Sequence, residues 1–119
     1  MVSKDNLQFC TFGAIFRIDN IKSGLSKQEG SHPWIIVEDF DESNPRVAAC
    51  VRTTSGNGSV EIPAFYDGHQ VDRFDRDGRV DPGFLKPIHV DVIRLSRYCG
   101  RLPAGLCDIL RDALFGGTK

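Results

Sequence analysis

The apolar residues of this chain fall into short β-forming runs broken by glycine, proline and polar turns, and their spacing changes to that of a helix only near the C-terminus. Phe9 to Ile18 combines β-formers and aromatic residues around Gly13, which suits a bend or bulge, and predicts a first strand. Pro33 to Val37 is the clearest strand: proline is tolerated at a strand's first residue, and four strong β-formers follow it. Arg46 to Arg52 carries consecutive small apolar residues, which predicts burial on both faces and a central place in a sheet. Val60 to Tyr66 reads as a strand pushed toward an edge by Pro63. Phe84 to Tyr98 predicts two short strands, since Ile88, Val90 and Val92 alternate before Ile93 and Leu95 continue on the opposite parity, as past a bulge. Leu106, Ile109, Leu110, Ala113 and Leu114 share one face of a helix that starts near Pro103 and stops at Gly116-Gly117.

Between these runs lie two long polar connections, Asp19 to Ser31 and Asp67 to Gly83, the second holding five aspartates and three arginines. Residues 1 to 8 are polar and predict a frayed end. Many short strands followed by one helix predict a mainly β fold: a small SH3-like barrel of about five to seven strands with a C-terminal α-helix over one side. The expected organisation is one domain over residues 1–119, without internal repeats.

The totals narrow the function classes. The 15 basic and 16 acidic side chains leave a formal charge of -1, so any nucleic-acid site must be a local cluster rather than a whole-molecule field. The 4 cysteines are far apart and contain no C-x-x-C, which reads as reduced core thiols of a cytoplasmic protein. No signal peptide is legible, and no apolar stretch approaches the roughly 20 residues that span a bilayer, so no membrane role is expected. Asp75-Arg76-Asp77-Gly78 is not a calcium loop, because Arg73 and Phe84 occupy positions that require oxygen ligands. No Gly-rich dinucleotide motif, Walker loop or nucleophile elbow is present, and no cofactor or metal is expected.

Several segments resemble, in order, those of the PemK/MazF toxins. Gly13-Ala14-Ile15-Phe16 is similar to that family's opening strand, and His32-Pro33-Trp34-Ile35-Ile36-Val37 to its Arg-Pro strand. Ala48 to Ser55 resembles the strand ending in its threonine-bearing loop, and Tyr98-Cys99-Gly100-Arg101-Leu102 its closing turn. The likeness spans residues 12 to 115. It implies a homodimeric, metal-independent and sequence-selective endoribonuclease acting on single-stranded RNA, the toxin of a toxin-antitoxin pair whose cognate antitoxin blocks the RNA groove. Cleavage would then run by attack of the RNA 2′-oxygen on the neighbouring phosphorus, giving a cyclic phosphate and a 5′-hydroxyl.

The residues matching the family's catalytic pair are His32, where the family has arginine, and Thr53. Histidine exchanges protons near neutral pH but lacks the permanent charge and donor fork of arginine. Arg52 is the candidate charge stabiliser, although strand alternation predicts that it faces away from Thr53. Thr54, Ser55, Trp34, Lys86 and His89 are candidate substrate contacts: hydroxyls and a cation for phosphate, Trp34 for base stacking as Phe65 and Tyr66 also offer, and His89 from its strand. His69, in the polar loop, is a weaker candidate. Two other readings stand beside the ribonuclease. One is a barrel of the same fold that has lost catalysis and binds a protein or nucleic acid. The other is a CcdB-like gyrase-poisoning toxin, which the terminal Gly116-Gly117-Thr118-Lys119 does little to support.

Overall fold

The computed structural model describes residues 6–116. Its centre is one antiparallel sheet of five strands: β1 (Ala14–Asp19), β2 (Ser31–Ile36), β3 (Arg46–Val51), β8 (Lys86–His89) and β9 (Arg97–Arg101), in the order β8-β3-β2-β1-β9. Two short ribbons complete the β structure, β4 (Val60–Ile62) with β7 (Gly78–Val80), and β5 (Phe65–Tyr66) with β6 (His69–Gln70). The backbones of Thr53 and Arg79 exchange hydrogen bonds of 3.0 and 2.8 Å, joining the end of β3 to the β4–β7 ribbon and curling the sheet toward a barrel.

Both faces of the sheet are covered, which is why β1 to β3 read as nearly continuous apolar runs. One face buries Ile15, Ile35 and Cys50 against Val60, Ile62, Phe74 and Val80 and against Leu106 and Leu110 of helix α3 (Ala104–Arg111). The other buries Phe16, Ile18, Trp34, Ile36, Val47 and Ala49 against Leu7, Val90 and Ile93. Three thiols are buried, Cys10, Cys50 and Cys107, and all four are free. Burial pushes the Cys50 thiol up to about 12 and that of Cys10 to about 11, as expected of core thiols rather than nucleophiles.

Five expectations need correction. The predicted strand pair over Phe84 to Tyr98 contains a helical turn, α2 (Val90–Arg94), because His89 caps it and both Val90 and Ile93, three apart, face the core. The parity change read as a bulge marks that turn. Phe9 belongs to a 3-10 turn, Asn6–Phe9, and the first strand begins at Ala14. Residues 6–8 of the predicted frayed end are docked: Leu7 is buried, and Asn6 Nδ2 donates to Ile93 O at 3.0 Å and Ser96 O at 2.7 Å. Residues 1–5 and 117–119, including the predicted Gly117 stop, lie outside the described residues. The connection after β1 contains α1 (Asn20–Ser23), whose first turn is capped by the Asp19 carboxylate. Pro63 divides the predicted Val60 to Tyr66 strand into β4 and β5.

Gly13 joins the helix to the sheet. Its φ of 91° lies in the left-handed region, and a Cβ there would stand 2.5 Å from Cys107 Sγ on α3. Gly13→Ala is expected to cost roughly 2–4 kcal/mol from backbone strain plus overpacking. Gly68→Ala, at φ 82° with open space around it, is expected to cost only about 1 kcal/mol. Urea denaturation of both variants checks the difference.

Candidate active site

The strand ends at one rim of the sheet gather the matched residues. Ser31, His32 and Pro33 come from β2, and Arg52 to Ser55 leave β3 beside them, with the Arg52 amide donating to Pro33 O at 2.9 Å. The polar excursion between β6 and β7 forms the facing wall. The resulting groove, about 360 Å³, is lined by His32, Arg52, Thr53, Thr54 and Ser55 and also by Arg17. Phe74, Asp75 and the arginines at positions 73 and 76 close its far side.

His32 is half-buried, and its Nδ1 lies 2.7 Å from Oδ1 of the buried Asn20. An amide oxygen accepts, so Nδ1 is the donor in this contact, and in a neutral ring that leaves Nε2 as the proton acceptor. The backbone of Asn20 is itself tied down: its N–H donates to Gly30 O at 2.8 Å, and its main-chain carbonyl accepts from Leu25 N at 2.9 Å. Thr53 is held at its backbone by the bridge to Arg79, while Thr54 and Ser55 are exposed on the rim.

Arg52 plays a different part from the one expected. Only 4% exposed, it donates from Nε to Ile62 O at 3.0 Å and from Nη2 to Arg76 O at 2.5 Å, and its guanidinium stacks 3.7 Å over Phe74. Burial lowers its pKa, and Asp77 and Asp75 oppose that shift. A Cβ at position 78 would fall 2.7 Å from Arg52 Cζ, so Gly78 is what lets the guanidinium fit. Arg52 thus fastens the far wall of the groove to the sheet, with two of its donor atoms committed to carbonyls.

No family model matches the sequence, and no curated protein matches it. Solved structures do. A MazE-MazF structure from Deinococcus radiodurans superposes with a TM-score of 0.61 at 15% identity, over 87% of this chain and 89% of that one. An endoribonuclease from a mycobacterial species gives 0.59 at 17% identity, over 87% and 86%. A mycobacterial endoribonuclease in complex with its cognate antitoxin gives 0.59 at 15%, over 92% and 97%. The chain has a MazF-type fold. The mainly β architecture with its C-terminal helix, anticipated from the sequence, is therefore confirmed.

Within this MazF-type sheet, three candidate substrate contacts fall outside the groove. Trp34 is completely buried in the second core, with no hydrogen-bond partner for Nε1 among the described residues, so it cannot stack on a base. An aromatic within a strand covered on both faces becomes core. His89 lies at the opposite end of the sheet, paired with Arg46, and its Nδ1 accepts the Asp91 amide at 3.1 Å as the cap of α2. Lys86 pairs with Ala49 on the edge strand two strands from His32, its chain packed near Gly24. Of the weaker candidates, His69 and Phe65 are exposed on the β5–β6 ribbon.

Arg17 was missed by sequence reasoning. It sits among apolar residues of β1, and the only signal is a lone cation on a strand otherwise buried from Ala14 to Ile18. A larger depression of about 650 Å³, walled by Leu7, Phe40, Pro45 and Val90, offers no histidine or hydroxyl side chain. The groove is the better candidate.

Arg52→Ala, which orphans two carbonyls and exposes Phe74, is expected to lower stability by about 3 kcal/mol. Arg52→Lys is expected to recover less than half of that, because an ammonium cannot reproduce the planar fork. Denaturant midpoints measure both.

Proposed function

We propose that this protein is a toxin-type endoribonuclease that cleaves single-stranded RNA without a metal, with the rim groove as its active site. The single observation that carries this reading is that His32, Thr53, Thr54 and Ser55 line one groove of a MazF-type fold. His32, oriented by Asn20, takes the proton of the attacking 2′-hydroxyl on Nε2. The bond from the 2′-oxygen to phosphorus forms as the bond to the 5′-oxygen breaks, and the proton passes on to the leaving oxygen. Thr53 donates to a non-bridging oxygen as negative charge builds. The products are a cyclic phosphate and a 5′-hydroxyl. A cognate antitoxin that covers the groove, a homodimeric assembly, sequence selectivity and a cytoplasmic setting complete the reading; among the described residues no helix is long and apolar enough to cross a membrane.

One observation favours a second reading. Arg52, the expected charge stabiliser, spends its donors on Ile62 and Arg76, so the groove without the family's arginine also suits a barrel that binds a partner without catalysis.

Incubation with a long, weakly structured RNA in excess chelator decides between them. Discrete cuts with 5′-hydroxyl ends are expected, and His32→Ala should slow them at least about 100-fold. Thr53→Ala should cost roughly 10- to 100-fold as one lost transition-state donor. Intact RNA from a folded protein would leave the binding module; unchanged cutting by both variants would overturn the site assignment.

A further inference from the structure

Arg17 and Arg97 are direct cross-strand partners on β1 and β9, which sets two guanidiniums side by side on one face of the sheet. Like charges placed opposite one another destabilise a sheet. Two other surface arginines do have a carboxylate three residues away, Arg94–Asp91 at 3.1 Å and Arg111–Asp108 at 3.6 Å. Among the described residues neither Arg17 nor Arg97 makes an ion pair. The Arg17 side chain makes only long hydrogen bonds, 3.4 Å from Nη1 to both the carbonyl and the hydroxyl of Ser31.

Both arginines line a cavity of about 200 Å³, together with Arg73, Phe74, Cys99 and the single carboxylate of Asp72. Three guanidiniums against one carboxylate give the pocket a net positive charge on a protein whose total is -1. Asp72 holds a left-handed φ of 51°, uncommon outside glycine, in the turn that presents Arg73. The pocket is continuous with the groove through three shared residues, Arg17, Arg73 and Phe74.

We propose that Arg17, Arg73 and Arg97 form a phosphate pocket for single-stranded RNA, holding a backbone phosphate next to the one cleaved at His32 and Thr53. The chain would then run from the rim of β3 across β1 to the edge strand β9. Guanidinium forks match phosphate oxygens, and their mutual repulsion is relieved when the anion enters. The pocket deepens the ribonuclease reading and rests on it for the identity of the ligand as RNA.

The test uses the full-length protein and a fluorescent, non-cleavable 2′-O-methyl single-stranded RNA, followed by anisotropy over a salt series. Arg17→Gln and Arg97→Gln are each expected to weaken binding roughly fivefold at 0.1 M salt and to make the log Kd against log salt slope shallower by about 0.7, as for one lost phosphate contact on a single strand. Asp72→Asn, which removes the opposing charge and tolerates the left-handed backbone, is expected to tighten binding, a gain that misfolding cannot mimic. Slopes equal to wild type in both arginine variants, or no binding by the wild type, would overturn the proposal. Cleavage of an ordinary RNA is scored separately: cutting with unchanged slopes removes the pocket and keeps the ribonuclease, whereas lost slope without cutting keeps the pocket and removes the ribonuclease.

Discussion

The structure depends on one buried cation. Arg52 leaves the end of β3, passes beneath the polar excursion and ties the carbonyls of Ile62 and Arg76 together while stacking on Phe74. A long polar segment has little apolar surface of its own with which to offset the entropy of being ordered. Here the ordering comes from two charge-assisted hydrogen bonds, a ring face and the Asp77 carboxylate, which accepts the Ala64 amide at 2.8 Å. Gly78 leaves the space in which this happens. Without the anchor the groove would have a floor and no far wall.

The anchor also explains how the site is divided. Strand alternation sends Arg52 to the face that carries Phe74 and Ile62, while Thr53 turns at the strand's end into the hydroxyl-bearing loop. Neighbouring residues of one strand thus serve two purposes, one holding the wall and the other lining the opening. The same alternation places Arg17 and Arg97 on the Arg52 face, where they extend the positive lining from the groove toward the edge of the sheet. A chain of nearly balanced charge in this way concentrates several guanidiniums along one continuous surface.

Much of the fold was legible because periodicity records burial. The runs at Pro33 to Val37 and Arg46 to Arg52 became central strands, and the helical spacing from Leu106 became α3, which ends at Arg111 before a π-helical turn over Asp112–Gly116 and leaves Ile109 exposed. The failures share a cause. Val90, Val92 and Ile93 fit a short strand and a helical turn equally well, and the cap from His89 and the packing against Leu7 decided for the helix. Trp34 has a composition suited to base stacking, yet the second face of its strand is covered by Leu7, Val90 and Ile93, elements far away in sequence. Arg17 went unnoticed because an isolated arginine in an apolar strand has no local signature of a site.

Spacing and turn residues along the chain were enough to place β1 to β4 and the start of α3, and the totals to show that no large charge imbalance governs binding, while His32 and Thr53 were matched to strand ends through the resemblance. These are local properties, set by side-chain spacing, turn residues and totals. It took the folded arrangement to make Arg52 an internal strut, Trp34 core and His89 a helix cap, and to bring Arg17, Arg73 and Arg97 into one pocket. Each of those outcomes depends on which strands become neighbours and which face is covered, and cross-strand register between residues as distant as 17 and 97 is written in no single window of the chain.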